Sequence, residues 1–207
     1  MSEKELNRLS YALGLSMGNN FRASGIDSID VQDFADGVAA VFNGVAPKMS
    51  YDEAKEEIRK YFTALEERQQ AEARVASEAN AKAGREFLDK NGKREEVKIT
   101  PSGLQYEVIE EGDGATPKAT DRVTVHYTGR LIDGTVFDSS EERGEPATFG
   151  VNQVIPGWVE ALQMMKEGAK WRLFIPSNLA YGSQGVPGIG PDQTLIFDVT
   201  LLKVEGK

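Results

Sequence analysis

Residues 125–140 read VHYTGRLIDGTVFDSS, and this stretch decides the fold of the second half of the chain. From Arg122 to Leu131 apolar and polar residues alternate, so that every second side chain faces the same side of a strand. Asp133-Gly134 follows as a tight hairpin signal, and Thr135 to Phe137 continues as a second strand. A clean alternation that leads into such a turn predicts an antiparallel sheet.

The rest of the second half repeats this pattern of short strands and turns. Further strands are predicted over Leu104–Ile109, Trp171–Ile175 and Thr194–Val204, and a short helix over Trp158–Met165. Runs of short strands with one helix are typical of the α+β class with an antiparallel sheet. We expect this domain to occupy residues 92–207, because most Gly and Pro lie after residue 100 and Gly92 reads as the cap that ends a helix.

The first half is rich in Ala and Glu and predicts helices. Capping residues mark three helix starts, at Ser2, Asp30 and Ser50, and Glu stands three residues after both serines. Apolar residues at helical spacing follow the first two caps, which predicts a helical region over residues 1–49. Residues 50–91 predict one long connecting helix, although they contain few bulky aliphatic side chains in their second half. A charged, partly frayed linker is the alternative for that stretch.

The two short helices need a partner for their apolar stripes, because they are too short to form a domain alone. Leu6, Leu9 and Leu13 lie on the first stripe, and Val38 and Phe42 lie on the second. A symmetric homodimer, in which these helices pack against their copies, is the simplest solution. Packing onto the second half of the same chain is the alternative, and the long polar helix argues against it.

The composition excludes several kinds of chemistry. The 207 residues include no cysteine and one histidine, and the net charge is −9. Disulfides, thiolate nucleophiles and cysteine zinc sites are therefore excluded. His126 falls on the outward face of its strand, where we expect it to be solvent-exposed, so a histidine triad is difficult to build. The acidic charge argues against nucleic acid or an anionic membrane as partner, and we expect neither a cofactor nor a metal.

The first twenty residues lack the basic start and unbroken apolar stretch of a secretory signal. No stretch approaches the roughly 20 apolar residues that a transmembrane helix requires. We therefore expect a cytoplasmic location, with a periplasmic or surface location only if a signal peptide had been removed.

The second half of the chain contains more aromatic side chains than one face of a strand can hold. Several must line the core or a concavity, and the set is Tyr106, Tyr127, Phe137, Phe149, Trp158, Phe174, Tyr181 and Phe197. Asp138 follows Phe137 directly, and a buried carboxylate needs partners, for which Arg143 lies near in sequence.

Four motifs in this order carry a resemblance: residues 125–140, VIPGW at 154–158, AYG at 180–182 and TLIFDVTLL at 194–202. Over residues 98–205 the chain resembles the FKBP-type peptidyl-prolyl cis–trans isomerases, which implies an antiparallel sheet wrapped around a short helix. The first half resembles the dimerising arm of the Mip-like FKBPs, in particular the cytoplasmic dimeric members. The implied function is isomerisation of X–Pro bonds in folding proteins, by desolvation and stabilisation of the twisted imide, together with chaperone-like binding of unfolded chains.

The resemblance implies a role for individual side chains. Trp158 would form the floor beneath the proline ring, and the Ile155 N–H and the Tyr181 hydroxyl would bind substrate carbonyls. Asp138 would lie beside the twisting bond, with Tyr127 and Arg143 near it, and Ile189 would close over the ligand. The walls would be Tyr127, Phe137, Val154, Ile155 and Phe197, and Phe149 joins the substrate-binding group.

Three departures from the family pattern bear on ligand preference. Ala147 stands where some relatives have a pocket aromatic, Val186 replaces a loop histidine, and Gly190 lies in a shortened loop. The resemblance implies rapamycin-type macrolides as inhibitors and proline-containing unfolded or partly folded proteins as substrates. A non-catalytic chaperone or scaffold, which would bind partners with the same pocket and arm, is the alternative function.

Overall fold

The protein is described by a computed structural model over residues 2–206. The chain divides between Gln70 and Ala71 into two compact units, called here the N-terminal unit and the C-terminal unit.

The N-terminal unit contains α1 (Glu3–Ala23), α2 (Val31–Asn43) and the first part of α3 (Tyr51–Asn91). The predicted caps are confirmed, since Ser2 and Glu5 form a reciprocal capping box and the Asp30 carboxylate accepts a hydrogen bond from the Asp33 N–H at 2.9 Å. Phe21 and Phe34 contact each other edge to face, with ring centroids 5.4 Å apart. No helix in the described part of the chain is both long enough and apolar enough to span a membrane.

Almost none of the apolar surface of α1 and α2 is covered within one chain. Neither helix contains a buried residue, and Leu6, Leu9 and Leu13 are each about half exposed. Leu65 on α3 is buried, at 7% exposure, beside Gly25. The N-terminal unit therefore has correctly capped helices but little hydrophobic core of its own.

The C-terminal unit is built on one antiparallel sheet of seven strands. The strands are β1 (Val97–Ile99), β2 (Gln105–Glu110), β3 (Arg122–Leu131), β4 (Val136–Ser139), β5 (Ala147–Gly150), β6 (Lys170–Ile175) and β7 (Leu195–Glu205). Their order across the sheet is β1-β2-β6-β7-β3-β4, and β5 pairs with β3. The α+β class with an antiparallel sheet is confirmed, whereas the short strands β1 and β5 were not predicted because their three or four residues carry no clear alternation.

Two short helices complete the unit: α4 (Ser140–Arg143) and α5 (Pro156–Leu162). Pro156 begins α5, where its missing N–H costs no helical hydrogen bond. Gly157 allows α5 to lie close to the sheet, because a Cβ at this position would approach the Ile175 Cγ2 to 2.6 Å. The buried face of α5 carries Trp158, Ala161 and Leu162, and the sheet wraps around this face as expected.

The second half of α3 packs on the C-terminal unit, although its few bulky aliphatic side chains led us to expect a helix that buries little surface. Gly84 comes so close to Thr194 that no Cβ would fit, and the rings of Phe87 and Phe174 lie 5.9 Å apart. The bulky Val75 is 70% exposed. The contact was missed because the part of the packed face before Phe87 is made of small and polar residues rather than aliphatic ones.

The compact C-terminal unit accordingly begins at Ala71, about twenty residues before the boundary that composition suggested near Gly92. Gly92 follows α3 without adopting the left-handed conformation of a capping glycine. A Cβ there would lie 2.8 Å from the Ile99 Cδ1 and 3.2 Å from the Leu88 carbonyl oxygen, so a side chain at this position would displace its neighbours. The assignment of residues 92–207 as the isomerase domain stays a prediction.

Candidate active site

A cavity of about 400 Å³ opens between α5 and the strands β3, β4 and β7 of the C-terminal unit. Its lining is mostly aromatic and aliphatic, with one carboxylate: Tyr127, Phe137, Asp138, Phe149, Gln153, Val154, Ile155, Trp158, Tyr181 and Phe197. A concave apolar site with a few polar groups is the usual form of a small-ligand pocket. The sequence-predicted residues are thus largely brought together, and their roles stay proposals.

Trp158 lies at the base of the cavity with 4% exposure. Its ring meets Tyr127 and Phe197 edge to face, at centroid distances of 5.3 and 5.2 Å. Such edge-to-face pairs are favourable beyond the area that they bury. The indole N–H has no hydrogen-bond partner within residues 2–206. The base of the cavity is therefore a buried aromatic surface that carries one unpaired N–H group.

Two phenylalanines form one wall, and Gly129 on β3 makes room for them. The rings of Phe137 and Phe197 contact each other edge to face at 5.5 Å. A Cβ on Gly129 would approach Phe197 to 2.6 Å and Phe137 to 2.7 Å. The need for glycine at position 129 could not be predicted from the sequence, because it arises from the two phenylalanine rings that face this position in the structure.

Asp138 forms the polar edge of the cavity. Its carboxylate accepts hydrogen bonds from the Tyr127 hydroxyl and from the Arg143 guanidinium. The Arg143 Nη2 also donates to the Tyr127 hydroxyl oxygen at 3.1 Å. Burial would raise the pKa of Asp138, but the hydrogen bonds from Tyr127 and Arg143 outweigh burial and lower this pKa below its usual value. Asp138 is therefore ionised at neutral pH.

The two cavity tyrosines keep their protons at neutral pH. Burial, followed by the hydrogen bond to Asp138, raises the pKa of Tyr127 above its ordinary value. Burial and the charge of Asp138 raise the pKa of Tyr181 in the same direction. Both hydroxyls are thus donors, and neither is placed to give up its proton near pH 7.

The residue before α5 also contributes to the cavity lining. Ile155 lines the cavity at the residue before α5, and its carbonyl accepts hydrogen bonds from the Trp158 and Val159 N–H groups. No described residue accepts a hydrogen bond from the Ile155 N–H itself. Ile155, with a backbone N–H that has no described acceptor, and Tyr181, with its hydroxyl, thus both line the cavity.

Some predicted residues lie elsewhere. Ile189 is only 6% exposed and belongs to the hydrophobic core rather than to the cavity lining, and its N–H donates to the Val186 carbonyl at 2.8 Å. Arg143 does not line the cavity but holds Asp138 from outside. Gln153 lines the cavity and was not predicted, although its position directly before Val154 was the available signal.

His126 is half-buried rather than solvent-exposed as expected. Its Nδ1 lies 3.0 Å from the hydroxyl of Ser140, a fully buried residue that also accepts a hydrogen bond from the Tyr127 N–H at 2.8 Å. The alternation along β3 correctly predicted the strand face on which His126 lies. The packing of α4 over β3 covers this part of that face.

Comparison with known proteins covers both halves of the chain. Residues 113–202 match the sequence model of the FKBP-type peptidyl-prolyl cis-trans isomerases. Residues 6–108 match the model described as the domain amino terminal to FKBP-type peptidyl-prolyl isomerase. The whole helical region and the sheet domain thus have counterparts in one family.

Individual relatives align over almost their full length. The FKBP-type 22 kDa peptidyl-prolyl cis-trans isomerase of Escherichia coli is 46% identical over 94% of this chain and 93% of its own. The outer membrane protein MIP of Legionella longbeachae is 44% identical over 96% of this chain and 85% of its own. The crystal structure of FkpA from Escherichia coli superposes with a TM-score of 0.72 at 38% identity, over 98% and 96% of the two chains. The chain therefore belongs to the family of FKBP-type peptidyl-prolyl cis–trans isomerases.

Proposed function

We propose that this isomerase rotates X–Pro bonds inside the Trp158 cavity, without a covalent intermediate and without proton transfer. The barrier of roughly 18–20 kcal/mol comes from amide resonance that is lost when the bond twists. A planar imide has a larger dipole than a twisted one, so an apolar cavity disfavours the planar form more. The aromatic lining over Trp158 is the observation that carries this proposal.

The polar groups at the rim orient the substrate. The Tyr181 hydroxyl and the Ile155 N–H each donate to a carbonyl oxygen of the bound peptide, and Asp138 lies beside the twisting bond. Because its pKa is lowered, Asp138 is a charged acceptor at neutral pH and not a general acid. Its partners Tyr127 and Arg143 hold the carboxylate in one orientation, which reduces the reorganisation needed during rotation.

The two tryptophans of the chain provide a matched test of this cavity. Trp158 lines it, whereas Trp171 is equally buried, at 5% exposure, and stacks on Tyr106 outside the cavity lining at 4.4 Å. We expect Trp158→Phe to lower kcat/KM on a short proline peptide about tenfold or more, while Trp171→Phe lowers stability but not kcat/KM. Equal kcat/KM in the two folded variants would remove Trp158 from the reaction.

We also propose that the protein is a homodimer through α1 and α2. Leu6, Leu9 and Leu13 on α1 are exposed along one stripe, and Phe42 on α2 is 84% exposed. An apolar surface of this kind is rare on a monomer and favours a self-complementary interface. Sedimentation at micromolar concentration should give twice the mass of one chain, and a monomer would contradict this arrangement.

Binding of unfolded chains by the N-terminal unit is the second candidate function. A groove lies between α2 and the start of α3, lined in part by Val41, Val45, Pro47 and Tyr51, and offers an apolar surface for a client. We expect Asp138→Ala to lose isomerase activity but still to suppress aggregation of an unfolded protein. Loss of both activities together would place client binding in the isomerase cavity instead.

Rapamycin-type macrolides are proposed as inhibitors that occupy the same cavity. Ala147 is half-buried on β5, two residues before Phe149. Because some relatives have an aromatic residue here, the small side chain of Ala147 would leave that side of the pocket wider. Competition between a macrolide and a proline peptide tests this assignment, since non-competitive inhibition would require a different site.

The cytoplasmic location expected from the first residues is not supported by the relatives, one of which is named an outer membrane protein. Fractionation of cells that express the natural protein measures its location directly.

A further inference from the structure

The segment that carries Tyr181 is held on both sides by one residue, Asp192. The Ser177 hydroxyl lies before Tyr181 and donates to the Asp192 Oδ1 at 3.2 Å. The Asp192 N–H donates to the carbonyl of Gly182, directly after Tyr181, at 2.9 Å. Residues 177–193, called here the Tyr181 loop, are therefore tied together by Asp192 at positions on both sides of Tyr181.

Asp192 is in turn held by α3. The Ser77 hydroxyl donates to the Asp192 Oδ2 at 2.6 Å, and the Asn80 Nδ2 donates to the Pro191 carbonyl at 2.8 Å. Both donors are half-buried. Asp192 has a φ of 52°, a left-handed conformation that side-chain-bearing residues rarely adopt without support. The two donors on α3 supply such support.

The helix is a fixed base for these two hydrogen bonds. Ser77 and Asn80 lie on the same face as Gly84, where α3 touches Thr194 so closely that no side chain fits. Farther along the same face, Asn91 donates to the Gln105 side chain at 2.9 Å, and the Gln105 side chain donates to the Leu88 carbonyl at 3.0 Å. The donors to the Tyr181 loop therefore project from a helix that is itself packed along the sheet domain.

We infer that Ser77 and Asn80 are positioning residues for the isomerase reaction: through Asp192 they hold the Tyr181 loop in its binding conformation before the substrate arrives. This inference rests on the proposed role of the Tyr181 hydroxyl in binding a substrate carbonyl. Neither residue touches the cavity, and both lie before residue 92. A sheet domain cut at residue 92 lacks both donors, although it contains every lining residue.

A positioning role and a merely structural role differ in their kinetic effects. Loss of a preformed binding conformation weakens ground state and transition state alike, so that KM rises while kcat changes little. Loss of folded protein lowers the apparent kcat and leaves KM unchanged. Ser77→Ala and Asn80→Ala keep or improve helix propensity, so neither change is expected to unfold α3.

The experiment uses the full-length chain with Ser77→Ala, Asn80→Ala and the double variant. Lys82→Ala is the matched control, since Lys82 is exposed on the same helix. We expect KM for a short proline peptide to rise about threefold to tenfold in the double variant. Ser77→Thr, which retains the hydroxyl, should restore the KM of Ser77→Ala, and Lys82→Ala should match the unmodified chain.

Amide hydrogen exchange provides a readout that does not depend on activity. In the double variant the Asp192 and Ile189 amides should exchange faster, while amides of β3 and β7 stay unchanged. Unchanged KM together with unchanged exchange at Asp192 would overturn the inference. If the unmodified chain failed to accelerate the peptide, the proposed function would fail, whereas the exchange data would still decide whether α3 holds the loop.

Discussion

The N-terminal unit and the cavity of the C-terminal unit show two different relations between sequence and structure. In α1 and α2 every local signal is satisfied, with caps and apolar stripes in place, but no side chain is buried. In the cavity the local signals are weak, yet Trp158 and Phe197 are at least 95% buried. Helix formation thus requires only neighbours in sequence, while a binding site requires packing between distant segments. The apolar stripes of α1 and α2 are complete in sequence but stay largely exposed within residues 2–206 of a single chain.

The largest expected effect concerns the proposed dimer interface of the N-terminal unit. Leu9→Asp combined with Leu13→Asp places two carboxylates on the exposed stripe of α1, which would be buried in a dimer. We expect complete conversion from dimer to monomer in sedimentation, with kcat/KM on a short proline peptide unchanged. A variant that remains dimeric would place the interface elsewhere, and a loss of peptide activity would show that the cavity depends on the dimer.

The next largest effect concerns the packing of the cavity wall. Gly129→Ala forces a methyl group against Phe137 and Phe197, and overpacking of this kind costs about 1–3 kcal/mol in unfolding free energy. Urea denaturation measures that loss, and kcat/KM should fall with it because the wall of the cavity moves. Gly37→Ala on α2 is the contrasting change, since a Cβ there meets nothing within 4 Å. Gly37→Ala should not destabilise the chain, and a destabilised variant would show that this face is covered.

A smaller effect concerns the charge at the rim of the cavity. Asp138→Asn keeps the size of the side chain but removes the charge that accepts from Tyr127 and Arg143. We expect kcat/KM to fall about tenfold, since a charged acceptor is stronger than a neutral one. Glu142→Gln is the control, because Glu142 is exposed on α4 and does not line the cavity. Similar kcat/KM values for both variants would show that the charge of Asp138 is not used.

The smallest effect is that of pH. The pKa of Asp138 is lowered and those of Tyr127 and Tyr181 are raised, so none of the three changes protonation between about pH 5 and 8. The dependence of kcat/KM on pH should therefore be flat over that range. Because the folded-state pKa of Asp138 lies below its unfolded value, its stabilising contribution is present above about pH 3.9 and is lost as pH falls further. A bell-shaped profile centred near pH 7 would instead indicate a titrating catalytic group.

Sequence reasoning succeeded where a signal is local or where an ordered set of motifs exists. The caps at Ser2 and Asp30 need only three neighbouring residues, and all of β3 follows from strict alternation. The cavity aromatics were collected as a set because their number exceeded what one strand face holds. Their grouping around Trp158 depends on the pairing of β3 with β7, which brings together residues about seventy positions apart.

The features that sequence reasoning missed depend on close approach or on long-range contacts. Gly129 is explained by two rings on other strands, and Gly84 is explained by Thr194. Before Phe87, the packed face of α3 is formed by small and polar residues, of which Ser77 is one, so hydrophobic periodicity gave no signal there. Small residues recurring at helical spacing were the clue available.

In the proposed mechanism, the X–Pro bond rotates inside the cavity without any proton transfer. The structure supports this claim because Asp138 is ionised, while Tyr127 and Tyr181 retain their protons. The most direct test compares kcat/KM for a short proline peptide in H₂O and in D₂O with the full-length chain. We predict a ratio near unity, since no O–H or N–H bond breaks in the rate-limiting rotation. A ratio well above unity would contradict the proposed mechanism, because it would show that proton transfer contributes to the reaction.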